Sequence, residues 1–319
     1  MPIPAKRFKI PKGATVATAG SCFAQSLARH LSRMSDVSFL QVEPIGADQP
    51  LFSALYGNIY TVRHLLQLFG SAQGEFLPAE SAWLRADGRY VDPFRPYVLK
   101  EGFATPGDVA IARQRHLAAV RRIFAECSVF VFTLGLTEAW FSATDGAVFP
   151  VAPGVVTDAI DPARYRFCNF TYAEILEDLS IFLQKLSRLN PAAACILTVS
   201  PVPLTATYTD EHVLTATVHS KSILRAVCSE IESRCSSAFY FPSFEIVSAH
   251  FNRGAYFEEN LRTVTKEGVE HVMEVFRKAY FGETEAVQDL PTNPPGEPDN
   301  SSGGDDVCDD EEIVRSFGF

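Results

Sequence analysis

Two runs, VFVFTL (129–134) and ACILTV (194–199), are apolar almost throughout. A strand is apolar on both faces when helices cover both sides of its sheet, so these runs are read as the central strands of a parallel sheet. The rest of the chain agrees. Short β-prone runs at 14–19, 37–42, 128–134, 194–200 and 239–247 alternate with segments of helical periodicity at 23–34, 58–69, 108–126, 172–189, 211–235 and 264–280. Repeated β-α units of this kind predict an α/β fold with a central parallel sheet of about five strands. Stretches 83–94 and 147–156, with Asp-Gly turns in or beside them, read as small hairpin-like insertions on the rim.

The chain has 319 residues and is 47% hydrophobic, enough for a large core. Residues 1–282 are read as one domain. From 283 to 319 the sequence turns to Pro, Gly, Ser and acidic residues, which bury too little apolar surface to order themselves, so a disordered acidic tail is expected. A formal charge of -10 leaves no basic field for phosphates, which argues against a nucleic acid partner or an anionic membrane surface. No apolar stretch reaches signal-peptide or membrane-span length. Seven cysteines, an odd number without CxxC pairs, suit free thiols in a reducing compartment, and a cytoplasmic location is expected.

In an open parallel sheet the ligand crevice lies outside the carboxyl ends of the strands. After the first run come Gly20, Ser21 and Cys22 and then a helix, where backbone N–H groups and the helix dipole stabilise an oxyanion or lower a thiol pKa. The plainer reading is a glycine turn, a helix cap and a small buried thiol, and position alone leaves the two even. Gly135, Thr137 and Glu138 follow the third run; they suit an oxyanion hole or an orienting carboxylate, or simply a turn. His212 opens a helix after the fourth run and is the candidate general base. His30, His64, His116 and His219 read as structural. Trp83, Tyr90, Phe94 and Trp140, near the expected rim, suit stacking on sugar rings.

Gly20-Ser21-Cys22-Phe23-Ala24, with FVFTLGLTEAW (130–140), LTVSPVPLTAT (197–207), HSKSILRAV (219–227), FPSFEIV (241–247) and GVEHVM (268–273), resembles the blocks of the GSCFA family in order. That family is similar to SGNH (GDSL-type) hydrolases. The resemblance implies a flavodoxin-like three-layer sandwich and an esterase or O-acyltransferase, often acting on carbohydrate. Carried across, Cys22 falls on the nucleophile and Ser21 on the neighbouring Asp. Gly57 and Asn58, opening the second helix, supply the second block, and Thr137 and Glu138 fall on the oxyanion Asn and its Asp. The last block falls on Asn260-Leu261-Arg262-Thr263, which lacks both the Asp and the His of D-x-x-H. His212 is the preferred substitute base and His250 the second choice, while His271 reads as structural.

The resemblance therefore implies a Ser or Cys nucleophile at the GSC turn, a small-molecule or glycan substrate, and an acyl thioester as a suitable donor. No cofactor and no metal are implied, because neither a Gly-rich phosphate fingerprint nor metal-ligand spacing occurs. A reading from another class, a glycan- or ligand-binding protein that has kept the pocket and lost its base, stands beside the enzyme.

Overall fold

The computed structural model describes residues 8–44, 46, 51–157 and 161–282; the expected tail at 283–319 lies outside the described residues. Five strands, β1 (Ala14–Gly20), β2 (Val37–Phe39), β5 (Val129–Leu134), β9 (Ala194–Val199) and β10 (Ala238–Phe241), form one sheet. Their order is β10-β9-β5-β1-β2, and every pairing is parallel. In order of appearance this is the flavodoxin-like arrangement, with its topological switch between β1 and β5. The expected α/β sandwich is the observed fold.

Side-chain alternation along the strands divides the core in two. On one face Ala17, Ala19, Phe130, Phe132 and Leu197 pack against helices α2 (Val62–Gln73), α3 (Pro106–Glu126), α5 (Tyr172–Leu189) and α6 (Val213–Arg234). On the other, Val16, Val129, Val131 and Ile196 meet α1 (Phe23–Arg33), α7 (Ser243–Ser248) and α8 (Lys266–Phe281). Both faces of β5 and β9 are buried along their whole length, as their composition requires.

Local chemistry sets the element ends, and in two places it overrides periodicity. The second helix begins at Val62 rather than at residue 58, because Thr61 takes the cap position and its hydroxyl accepts the His64 N–H at 3.3 Å. Gly57 and Asn58 thus lie in the loop before α2 and do not open it. The run at 239–247 is a strand only as far as Phe241; Pro242 ends it and Ser243 starts α7.

The rim is richer than expected. β3 (Trp83–Leu84) and β4 (Tyr90–Val91) form the first hairpin. In place of the second, β6 (Glu138–Ser142) pairs antiparallel with both β7 (Val148–Phe149) and β8 (Tyr165–Asn169), and 153–156 is a helical turn, α4 (Pro153–Val156). Trp83 is no sugar platform. It packs against Phe149 at 4.8 Å and against Tyr165 in a small core of its own, 3% exposed. Phe94 is stacked on Phe149 at 5.5 Å. Among the described residues no helix is long and apolar enough to cross a membrane.

Candidate functional site

The carboxyl ends of β1 and β5 bring three sequence blocks together. Gly20 has φ +141° and its N–H-bearing chain runs directly against Thr133 of β5. Ser21 donates its N–H to the Thr133 carbonyl at 3.1 Å, and Cys22 takes the cap position of α1 with helical backbone and no side-chain cap bond. Ser21 and Cys22 are 2% and 3% exposed, so both candidate nucleophiles are sealed beneath the surface. The Ser21 hydroxyl is buried without a hydrogen-bond partner.

The Gly57-Asn58 block closes over this turn. Ile59 donates its N–H to the Gly20 carbonyl at 2.8 Å, and the buried Asn58 accepts from Gln25 Nε2 of α1 at 3.2 Å. Tyr60 follows, and its carbonyl accepts the N–H groups of Gly135 and Leu136 at 3.0 and 3.2 Å. Gly135 is thereby held so close that a Cβ there would lie 3.1 Å from the Ser21 Cβ. A larger residue there would have to displace Tyr60 or Ser21 by a few tenths of an ångström.

Beyond Gly135 the third block turns into β6. Thr137 is fully buried; its N–H bonds Ser220 Oγ at 3.0 Å and its hydroxyl donates to Asn169 Oδ1 at 2.6 Å. Glu138 accepts from the Thr207 hydroxyl at 2.6 Å and from the Tyr208 N–H at 3.1 Å, which ties the loop after β9 to the rim. A cavity of about 70 Å³ opens here, bounded by Tyr60, His64, Glu138, Trp140, Thr205 and Tyr208. Trp140 and Tyr208 meet edge to face at 5.2 Å, so of the four rim aromatics Trp140 is the one at this opening. Ser21 and Cys22 do not line it.

The histidines are distributed elsewhere. His212 caps α6, its Nδ1 accepting the Leu214 N–H at 3.2 Å on an exposed surface. His250 is exposed in a single 3₁₀ turn, and His271 is stacked on Tyr256. Among the described residues no imidazole forms a hydrogen bond with Ser21 or Cys22. The last block does reach the crevice: Arg262 Nε bonds the Pro203 carbonyl at 3.4 Å, in the loop after β9.

Two buried polar residues beside this site have no part in it on the sequence reading, in which His64 is structural and Lys221 is not singled out. Lys221 is 2% exposed and donates to the Gly135 carbonyl at 2.6 Å, placing its amino group against the glycine that abuts Ser21. Its signal is periodic: Ala216, Ser220, Leu224, Val227 and Cys228 are the buried positions of α6, and 221 falls on that face. A lysine in a core register has a polar task.

His64 is the other. Burial pushes its imidazole down to about 4, against a small opposing pull from Asp92, so the ring is neutral at pH 7. The folded value lies below the unfolded value of about 6.5, so the unfolded chain takes up the proton first and stability falls as pH drops from about 6.5 toward 4. For one proton this amounts to on the order of 2–3 kcal/mol. Urea unfolding at pH 7 and pH 4.5 should show this loss in the wild type and a smaller one in His64→Leu; equal losses in the two would refute it. His116, also lowered, contributes to both proteins alike.

Solved structures of similar shape are distant. A protein named as a platelet activating factor from Streptococcus pneumonia has TM-score 0.39 and 11% identity, covering 85% of this chain and 86% of its own. A GDSL-like lipase from Parabacteroides merdae has TM-score 0.38 and 11% identity, covering 87% and 100%. A carbohydrate esterase family 2 enzyme with a carbohydrate-binding domain, from Corynascus thermopiles, has TM-score 0.31 and 13% identity, covering 88% and 67%. No curated protein matches the chain. The GSCFA family model matches residues 15–276, the whole span from β1 through the switch-point loops into α8, and the chain belongs to the GSCFA family.

Proposed function

We propose that this chain is an esterase or O-acyltransferase whose reactive centre is the Gly20-Ser21-Cys22 turn and whose substrate is an ester-bearing molecule of carbohydrate class. The observation that carries the reading is the Ser21 hydroxyl, buried and without a hydrogen-bond partner at the switch point of a parallel sheet. A serine kept there for packing alone would be expected to bond a neighbouring carbonyl, since buried polar atoms in native proteins rarely go unpaired.

In the proposed chemistry Ser21 Oγ or Cys22 Sγ attacks the ester carbonyl carbon. The acyl group passes to the protein as the alcohol leaves with a proton, and water or an acceptor hydroxyl then takes it. The N-terminus of α1, which begins beside the Ser21-Cys22 turn, would stabilise negative charge gathering on the attacked carbonyl. With no bonded imidazole, an activated donor such as an acyl thioester suits the site better than an unactivated ester, because a thiol nucleophile needs less help from a base.

The binding-protein reading draws on the same fact from the other side: His212 Nδ1 is occupied at a helix cap, and no imidazole bonds either candidate nucleophile. Hydrolysis of short-chain nitrophenyl esters and thioesters separates the two. The enzyme reading expects turnover that falls at least a hundredfold in either Ser21→Ala or Cys22→Ala, with His212→Ala changing it only if that imidazole is the base. Wild-type turnover indistinguishable from both alanine variants would sink the enzyme and leave the binder.

A further inference from the structure

Ser21 and Cys22 are 2% and 3% exposed, so an ester reaches either of them only if a neighbouring side chain gives way. Tyr60 is placed to do so. The point where a Gly135 Cβ would stand is 3.1 Å from the Ser21 Cβ and 3.0 Å from Tyr60 Cδ1, so the edge of the Tyr60 ring and the stem of Ser21 flank one gap above Gly135. Tyr60 also lines the cavity of about 70 Å³, which Ser21 and Cys22 do not. It is therefore common to the turn and the cavity.

Its backbone is fixed. The Tyr60 carbonyl accepts the N–H groups of Gly135 at 3.0 Å and Leu136 at 3.2 Å. On one side Ile59 donates its N–H to the Gly20 carbonyl, and on the other Thr61 caps α2. What is left to move is the ring, by rotation about its side-chain bonds.

The wall of the cavity suits an apolar guest, with Leu136, Trp140, Pro150, Phe167 and Leu204 in it. The carboxylate and the imidazole at this wall call for no charged partner. Glu138 spends one oxygen on the Thr207 hydroxyl and the other on the Tyr208 N–H, and His64 is neutral at pH 7. At roughly 10–15 Å³ for each water, the cavity has space for on the order of five, the room taken by a chain of about four heavy atoms. A sugar ring is larger and carries hydroxyls on every side. Of the two halves of a sugar ester, the acyl half is the one that fits.

We infer that this cavity receives the acyl group of the substrate, that it admits short apolar chains of about two to four carbons, and that Tyr60, standing between it and the Ser21-Cys22 turn, determines acyl-chain specificity. This acyl site rests on the ester chemistry proposed above, and binding is therefore measured apart from turnover. N-methylbutyramide and N-methyloctanamide present two acyl lengths on a bond that resists cleavage. Trp140, one of two tryptophans in the chain, reports their binding by fluorescence, and Trp140→Phe identifies its share of the signal. The butyramide should bind the full chain at least tenfold more tightly than the octanamide. Tyr60→Phe, which keeps the ring, should retain that preference, and Tyr60→Leu should bring the two amides within threefold. Phe167→Ala enlarges another part of the wall and carries the same expectation should Tyr60→Leu fail to unfold cooperatively. Turnover of nitrophenyl butyrate and octanoate should follow the same order in kcat/KM. Butyramide binding without ester turnover would sink the ester chemistry and leave the cavity as the site of an apolar chain. No binding of either amide, equal affinity for both in the wild type, or an undiminished preference in folded Tyr60→Leu overturns the inference.

Discussion

Gly20→Ala is expected to lower stability by about 2–6 kcal/mol, as backbone strain and overpacking each cost roughly 1–3. The alanine Cβ would stand 2.3 Å from the Thr133 carbonyl oxygen and 2.7 Å from its nitrogen, on a backbone already at φ +141°. Thr133 cannot step aside, because β5 is paired to β1 on one edge and to β9 on the other. Gly57 provides the comparison. It too has positive φ, +67°, but a Cβ there meets nothing within 4 Å, so Gly57→Ala should cost only about 1–2 kcal/mol. Urea unfolding of the two variants decides the matter: a Gly20→Ala midpoint equal to or above that of Gly57→Ala would show that β1 and β5 are not locked as the pairing implies.

VFVFTL and ACILTV announce two-sided burial by composition alone, and both are strands throughout, although the expected runs reached one residue further, to Ser128 and Ser200. Helix α5 was readable to the residue because Thr171 and Glu174 form a capping box at its start. Where a single residue decided an end, periodicity misled: Thr61 delayed α2 and Pro242 cut β10 short. β8 and its pairing with β6 were missed because YRFCN carries an Arg and a Cys on a half-buried rim, where alternation is weak.

The candidate site divides in a similar way. Residues beside the chain turn, Gly20, Ser21, Gly135 and Thr137, could be found because strand ends in a parallel sheet point to the crevice. Lys221 of mid-α6, Asn169 at the end of β8 and His64 in the first turn of α2 come to it from far along the chain, Asn169 32 positions from Thr137 and Lys221 86 from Gly135, and only tertiary packing assembles them. His212 follows the right strand, yet its ring is turned to capping α6, a use that a histidine at a helix start offers as readily as base catalysis. The polar cluster around Asp92 had no local signature at all: Glu43, Asp92, Arg95, Arg113 and His116 are ordinary surface types until the fold brings them together.

Asp92→Asn should be among the most damaging single substitutions in the molecule, costing about 3–5 kcal/mol at pH 7, the range for removing one partner of a buried ion pair. Asp92 is 1% exposed and carries two guanidiniums, Arg95 on Oδ2 at 3.0 Å and Arg113 on Oδ1 at 2.7 Å. Burial opposes its charge, but Arg113 and then Arg95 outweigh burial and hold the carboxyl below its ordinary range. A folded pKa below the unfolded value of about 3.9 gives stability that is present above that pH and is lost as acid carries the solution down through the folded pKa. This acid loss lies below the window set by His64, so the two can be told apart in one pH series. The asparagine variant should show a smaller lower step while keeping the upper one, since Glu43, Asp145 and Glu174 are also held low and keep their share of the acid loss. A cycle with Arg95→Met tests the origin of the cost: the double variant should be less destabilised than the sum of the singles, because the charge that Asp92→Asn strands is then absent. Strict additivity, or a loss at pH 7 under about 1 kcal/mol, would mean that the two arginines find enough water to do without their carboxylate, and the strap bearing Asp92 and Arg95 would owe its place to Trp83, Phe94 and Phe149 instead.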